Sequence, residues 1–112
     1  MIVRTWRGRV SAEKSSAYPE HFRRHVVPEL ERIDGFLGAM LLREARADEI
    51  EFLVLTRWES MDAVRAFAGE EVEKAVVEPD AAAALTSFDT TVQHYEAVAD
   101  LSKPVLMNSI GV

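Results

Sequence analysis

The pattern of apolar and polar positions is clearest between Glu51 and Gly69, E-F-L-V-L-T-R-W-E-S-M-D-A-V-R-A-F-A-G. Phe52 to Trp58 predicts a strand. Successive strand side chains point to opposite faces, so one row is Phe52, Val54, Thr56 and Trp58 and the other Leu53, Leu55 and Arg57. Both rows are largely apolar, which predicts a strand covered on both faces. Ser60 then offers an N-cap hydroxyl, and Asp62 sits near the positive helix end. Met61, Val64, Phe67 and Ala68 follow at helical spacing.

Upstream, Ile2 to Val10 predicts a first strand, with Arg4 and Trp6 on one row and Gly8 marking a bulge or a close approach. Ser11 is placed to cap a helix. Tyr18, Phe22, Val26, Leu30 and Ile33 then recur at four, four, four and three residues, one helical face. Pro28 removes a backbone donor and clashes with the preceding turn, so a break is expected near Val27. Asp34-Gly35 predicts a turn, and Phe36 to Arg46 a second strand that is again apolar on both rows. Ala45 to Glu49 reads as a hairpin loop into the third strand. After Gly69, Glu70 to Val77 is expected to be helical with a Glu70–Lys74 pair, and Pro79 to start another helical turn. Thr90 to Val98 predicts the fourth strand.

The order is β-α-β-β-α-β, an α+β ferredoxin-like unit with a four-stranded antiparallel sheet. Two helical segments cover one face of such a sheet. The two-sided apolar strands need cover on the other, and a second copy of the chain supplies it, so a homodimer is expected.

With 112 residues, one domain is expected, over 1–98, with a tail at 99–112 whose Val105, Leu106, Met107 and Ile110 could dock on a neighbour. A net charge of −6 argues against nucleic acid as a partner. No apolar run approaches the roughly 20 residues that cross a bilayer. The chain has no cysteine, and Met1 to Arg9 lacks a secretory pattern, so a cytoplasmic location is expected.

The run F-L-V-L-T-R-W-E-S-M-D-A-V-R-A-F-A-G-E-E-V-E-K-A-V-V-E-P from Phe52, with H-Y-E-A-V at His94 to Val98, resembles the antibiotic biosynthesis monooxygenase domain family. The resemblance covers Met1 to Val98 and implies a dimeric α+β barrel with a pocket between helices and sheet in each subunit. It further implies oxidation of phenolic or quinol substrates by molecular oxygen with no flavin, heme or metal, so no cofactor is expected. Another branch of that family degrades heme, using an Asn on the first strand and a Trp and a His after the third. Those positions fall here on Trp6 or Arg7, on Phe67 and on Val77. None matches, and Val77 has no lone pair to give iron, so that route is not expected.

Cofactor-free oxygenation asks the site to take a proton and to stabilise the resulting anion in a dry cavity. His25 is the expected base, seven residues after Tyr18 on one helix face, with Phe22 beside it. His94 is the second catalytic candidate, with one of His94 and Tyr95 facing the pocket. Arg4 and Trp6 would frame the pocket floor, and Trp58 and Phe67 could line it as substrate-binding residues. His21 and His25 have metal-ligand spacing, but no further ligand cluster accompanies them, so no metal is expected. No nucleotide-binding glycine loop or nucleophile elbow occurs. The expected function is a cofactor-independent monooxygenase acting on a small aromatic or quinol-type metabolite. The alternatives are a non-catalytic dimeric ligand-binding or stress-associated domain, and an isomerase or lyase that moves a proton without oxygen.

Overall fold

Strand β1 (Ile2–Ser11) is the middle of the sheet, and the computed structural model describes residues 1–103 around it. β3 (Glu49–Trp58) runs antiparallel along one edge of β1, from Ile2 opposite Trp58 to Ser11 opposite Glu49. β2 (Phe36–Arg46) pairs antiparallel with β3 as its hairpin partner. The far edge of β1 takes β4 (Ser87–Phe88) and β5 (Gln93–Glu96), giving the order β2-β3-β1 and then these two pieces. The architecture is the ferredoxin-like α+β fold read from the sequence.

The last strand differs from the single run expected over Thr90 to Val98. Gly8 faces Phe88 and Thr5 faces Gln93, so β1 advances three residues while its partner advances five. The two surplus residues bulge from the edge. The bulge is held from inside, because the Trp6 indole N–H donates to the Asp89 carbonyl at 2.6 Å. A second slip lies between Phe36 and Gly38 on β2. There the absent side chain of Gly38 leaves room for the guanidinium of Arg57.

A short 3-10 turn (Ala12–Lys14) leads to α1 (Ala17–His21), and Ser11 makes no side-chain cap bond there. A π-helical turn (Phe22–Val26) joins α1 to α2 (Val27–Leu30). The expected break before Pro28 is therefore a widened turn and not a disconnection: Val27 N–H reaches back five residues to the Phe22 carbonyl. Pro28 has no N–H to offer an α-helical ladder, and a wider turn ahead of it absorbs the misfit. The same turn keeps the apolar stripe straight. Four-residue spacing drifts by about 40° per step on an α-helix of 100° per residue, and the wider turn offsets that drift.

α3 (Met61–Ala68) starts as predicted, with Ser60 Oγ accepting from Ala63 N–H at 3.2 Å. Gly69, at φ +85°, ends it. The expected helix over Glu70 to Val77 does not form. That segment is irregular, its Ala75 N–H bonded to Thr90 O at 2.9 Å and Val92 N–H to Glu73 O at 2.8 Å. Lys74 pairs with Glu71 at 3.8 Å in place of Glu70. Segment 70–78 serves as a strap beside the sheet edge, and α4 (Pro79–Ala83) follows it.

The helices lie on one face of the sheet, over the row Trp6, Gly8 and Val10 of β1 and the row from Ile50 to Trp58 of β3. One core cluster gathers Tyr18, Phe22, Phe52, Val54 and Leu85; the other centres on Leu30, Trp58 and Val64. The opposite face carries Leu53 and Leu55, half-buried, with Met40 and Leu42 exposed at 54% and 41%. The apolar tail positions Val105, Leu106, Met107 and Ile110 lie outside the described residues. Among the described residues no helix is long and apolar enough to cross a membrane.

Trp58 is the test of this core. It is fully buried, stacked on Phe67 and edge-on to Phe36 at 5.4 Å each, with its N–H donated to Thr56 Oγ1 at 2.9 Å. Trp58→Ala is expected to cost about 3–5 kcal/mol in urea unfolding, a large part of the roughly 5–15 kcal/mol that holds a domain together.

Candidate functional site

A cavity of about 90 Å³ lies between the helices and the sheet. Arg4 and Trp6 of β1 and Val54 and Thr56 of β3 form its floor. Tyr18 and His21 of α1, with Val26 and Leu30, form its roof. Phe67, Val76, Ala81 and Val92 close the sides, and Glu29 and Glu78 also reach it. The floor follows from strand alternation, since Arg4 and Trp6 share the row that faces the helices.

Arg4 is 5% exposed. Its Nη1 donates to Val72 O at 2.7 Å and lies 3.0 Å from His94 Nε2, and its Nη2 donates to Lys74 O at 3.1 Å. The Phe67 ring lies 5.6 Å from the guanidinium carbon. Among the described residues Arg4 makes no ion pair. Burial lowers its pKa to about 10, which leaves it charged at neutral pH.

Arginine can only donate, so His94 Nε2 accepts and is unprotonated. Burial first, and then the Arg4 charge, hold the His94 pKa below the ordinary imidazole value, with Glu73 opposing. His94 therefore sits behind Arg4 and off the cavity wall. Tyr95 points to the other face and is 51% exposed.

On the roof, Tyr18 packs against Trp6 at 6.0 Å and Phe52 at 5.5 Å. Burial pushes its phenol well above the usual range, so it stays neutral. His21 is 7% exposed, and its Nε2 has no hydrogen-bond partner among the described residues. A buried ring nitrogen without a partner, on a residue that lines a cavity, is a feature that calls for an explanation. At the mouth, Glu78 is held above the ordinary carboxylate range by desolvation, then by its hydrogen bond to Glu29 and that neighbour's charge, with His21 opposing.

The cavity thus brings together Arg4, Trp6, Tyr18 and Phe67. It does not include Phe22, which is buried in the core, nor Trp58, which supports Phe67 from behind. The larger departure concerns His25, which is exposed in a shallow surface groove with Glu20, Arg24 and Asp80, a groove that His21 also lines. The π-helical turn rotates residues after Phe22 away from the α-helical register, so the histidine ahead of the turn, His21, is the buried one. The run of four-residue spacings from Tyr18 to Leu30 was the signal for that wider turn. His21 and His25 remain neighbours at 5.5 Å. Among the described residues no three His, Cys, Asp or Glu side chains gather as a metal-holding group.

A ferredoxin-like sheet with an aromatic cavity beneath its helices is the frame of a small α+β domain with an internal pocket. The sequence profile for antibiotic biosynthesis monooxygenase matches residues 1–79, and the chain belongs to that family. Membership supports a monooxygenase-type function. No curated protein matches the chain. Among solved structures it is similar to SnoaB, a cofactor-independent oxygenase from Streptomyces nogalater (N63A mutant), at 22% identity and TM-score 0.61, covering 91% of this chain and 97% of that one. It is also similar to the heme degrader MhuD from Mycobacterium tuberculosis, with two hemes bound in its active site, at 24% identity and TM-score 0.59, covering 91% and 100%. A third likeness is to the ActVA-Orf6 monooxygenase of Streptomyces coelicolor in complex with Nanaomycin D, at 19% identity and TM-score 0.56, covering 91% and 92%. At these identities the likeness is one of fold. The residues here do not fit the heme-degrading pattern set out above. Val77 packs its hydrocarbon against the main core cluster, and the cavity is well below the roughly 300–1,000 Å³ of pockets for drug-sized ligands.

His94 gives this arrangement a pH signature. Its folded pKa lies below the unfolded value, so its contribution to stability is present above about pH 6.5. That contribution is lost as pH falls through the folded pKa. Thermal unfolding from pH 7.5 downward is expected to show a steeper loss in the wild type than in His94→Gln; parallel curves would detach His94 from Arg4.

Proposed function

We propose that this chain is a cofactor-independent monooxygenase acting on a small aromatic or quinol-type metabolite held in the cavity beneath the helices. The observation that carries the reading is buried His21 in the cavity lining, its Nε2 without a hydrogen-bond partner among the described residues. A base needs an unengaged ring nitrogen beside the bound substrate; His21 lines the cavity, whereas His25 faces solvent. Arg4 stabilises the anion that forms, inside a mostly hydrocarbon enclosure where that attraction is stronger than in water. Tyr18, Trp6 and Phe67 hold the ring.

For a quinol-type substrate, His21 takes a proton from a ring hydroxyl. The phenolate passes its electrons to oxygen one at a time, and a C–O bond forms at a ring carbon that bears hydrogen. The resulting peroxide anion recovers the proton from His21 and loses water to leave a carbonyl. One oxygen atom ends in the product and one in water, so no external reductant is consumed. A fully packed interior would favour a non-catalytic domain, and the cavity weighs against that alternative.

Purified protein given a panel of anthrones and quinols is expected to consume oxygen with the quinols. His21→Gln is expected to lower kcat by roughly 10²–10⁴-fold, with His25→Ala close to wild type. No uptake across the panel, or uptake unchanged in His21→Gln, would sink this reading; turnover under nitrogen would select the isomerase or lyase.

We infer also that the open sheet face is the seam of a homodimer. Leu53 and Leu55 lie on it beside exposed Met40, Leu42 and Tyr95, an apolar surface that the helices of one copy leave bare. An isologous pairing covers the same patch on both copies. Met40→Glu is expected to halve the mass seen by analytical ultracentrifugation while leaving the far-UV spectrum intact. A wild type that already sediments as a monomer would overturn the pairing.

A further inference from the structure

We propose that the cavity selects a single-ring aromatic anion of the hydroxylated benzoate type, its carboxylate seated on Arg4 and its hydroxyl on His21. This rests on the reading of the cavity as a ligand site and adds the substrate class.

The first observation is the state of Arg4. Its guanidinium has five N–H donors. Nη1 spends two, on Val72 O and His94 Nε2, and Nη2 spends one on Lys74 O, leaving two of the five. None of these partners carries a negative charge, since two are carbonyls and the third is an imidazole nitrogen. A buried cation without an anion is costly, and a planar carboxylate is the group that matches a guanidinium edge. The three bonds fix the orientation of the fork, so little is lost when a ligand engages it. Arg4 belongs to the cavity lining, so the missing anion has a place to come from.

The second observation is size. About 90 Å³ is smaller than the 150 Å³ apolar cavity that takes one benzene ring, so the lining must give way even for a single substituted ring, and three fused rings do not fit it. Trp6, Tyr18 and Phe67 give the walls flat aromatic faces for a ring. The third observation is His21, which lines the same space from the helix layer and whose Nε2 has no hydrogen-bond partner among the described residues. One charged group on the floor and one unpartnered ring nitrogen on the roof match an acid and a hydroxyl on one ring. Glu29 and Glu78 at the mouth oppose the anion's approach; salt screens that repulsion and quickens association.

Isothermal titration of the full chain tests this with 2,5-dihydroxybenzoate, its neutral counterpart hydroquinone, and a dihydroxyanthrone. The benzoate is expected to bind at least about tenfold tighter than hydroquinone, the worth of a charge-assisted pair. That advantage is expected to vanish in Arg4→Met and to persist in His25→Ala. Equal affinity for benzoate and hydroquinone, an advantage surviving Arg4→Met, or tighter binding of the anthrone overturns the proposal. Because Arg4 also ties segment 70–78, Arg4→Met could fail to fold; the wild-type ratio of the two single-ring ligands then decides by itself. Benzoate preference without oxygen uptake would sink the oxygenase and leave this inference standing. Uptake with an anthrone that outcompetes the benzoate would do the reverse.

Discussion

The guanidinium of Arg4 is the tie on which the rest of the site depends. It crosses from the central strand to the carbonyls of Val72 and Lys74, residues 68 and 70 positions away in sequence. Those carbonyls belong to a segment with no ladder of its own, and a buried carbonyl must find a donor somewhere. Arg4 supplies it. In return the segment is drawn toward the sheet edge, where it closes one side of the cavity. One side chain thereby positions the strap and leaves a positive charge in the enclosure.

The helical layer obeys a different constraint. Pro28 denies the helix a backbone donor, and the chain answers with a π-helical turn directly before it. Such turns are frequent at functional sites, because they re-aim side chains without ending the helix. Here the turn separates two histidines four residues apart. His21 lies over the cavity, and His25 lies in solvent. Backbone accommodation of a proline has decided which imidazole is buried.

The sheet joins the two sides of the molecule. Its helix-facing row packs Phe52, Val54 and Trp58 into the core, while Leu53 and Leu55 from the same strand face the other way. An antiparallel strand with two apolar rows has a second surface to hide. The pocket and the proposed seam therefore lie on opposite faces of one sheet, with β1 contributing Arg4 to the first and Val3 and Thr5 to the second.

Much of the frame was legible in the chain itself. Alternation along β1 and β3, the Ser60 cap and the two-sided apolar strands set the strand order, the start of α3 and the placement of Arg4 and Trp6 on one floor, because these features depend on residues close in sequence. The family was legible from Phe52 to Pro79 for the same reason. The rest was decided by partners far along the chain. Val72, Ala75 and Val76 have helical spacing, yet the carbonyls of Val72 and Lys74 go to Arg4, and Ala75 and Glu73 bond to Thr90 and Val92. The last strand breaks because Trp6 holds Asp89 and two surplus residues must leave the edge. His94 turned from a candidate base into a support for Arg4, since only the folded sheet brings them to 3.0 Å. His21 emerged in place of His25 because a hydrophobic period counts residues per turn, and only the tertiary structure reveals where the turn itself widens.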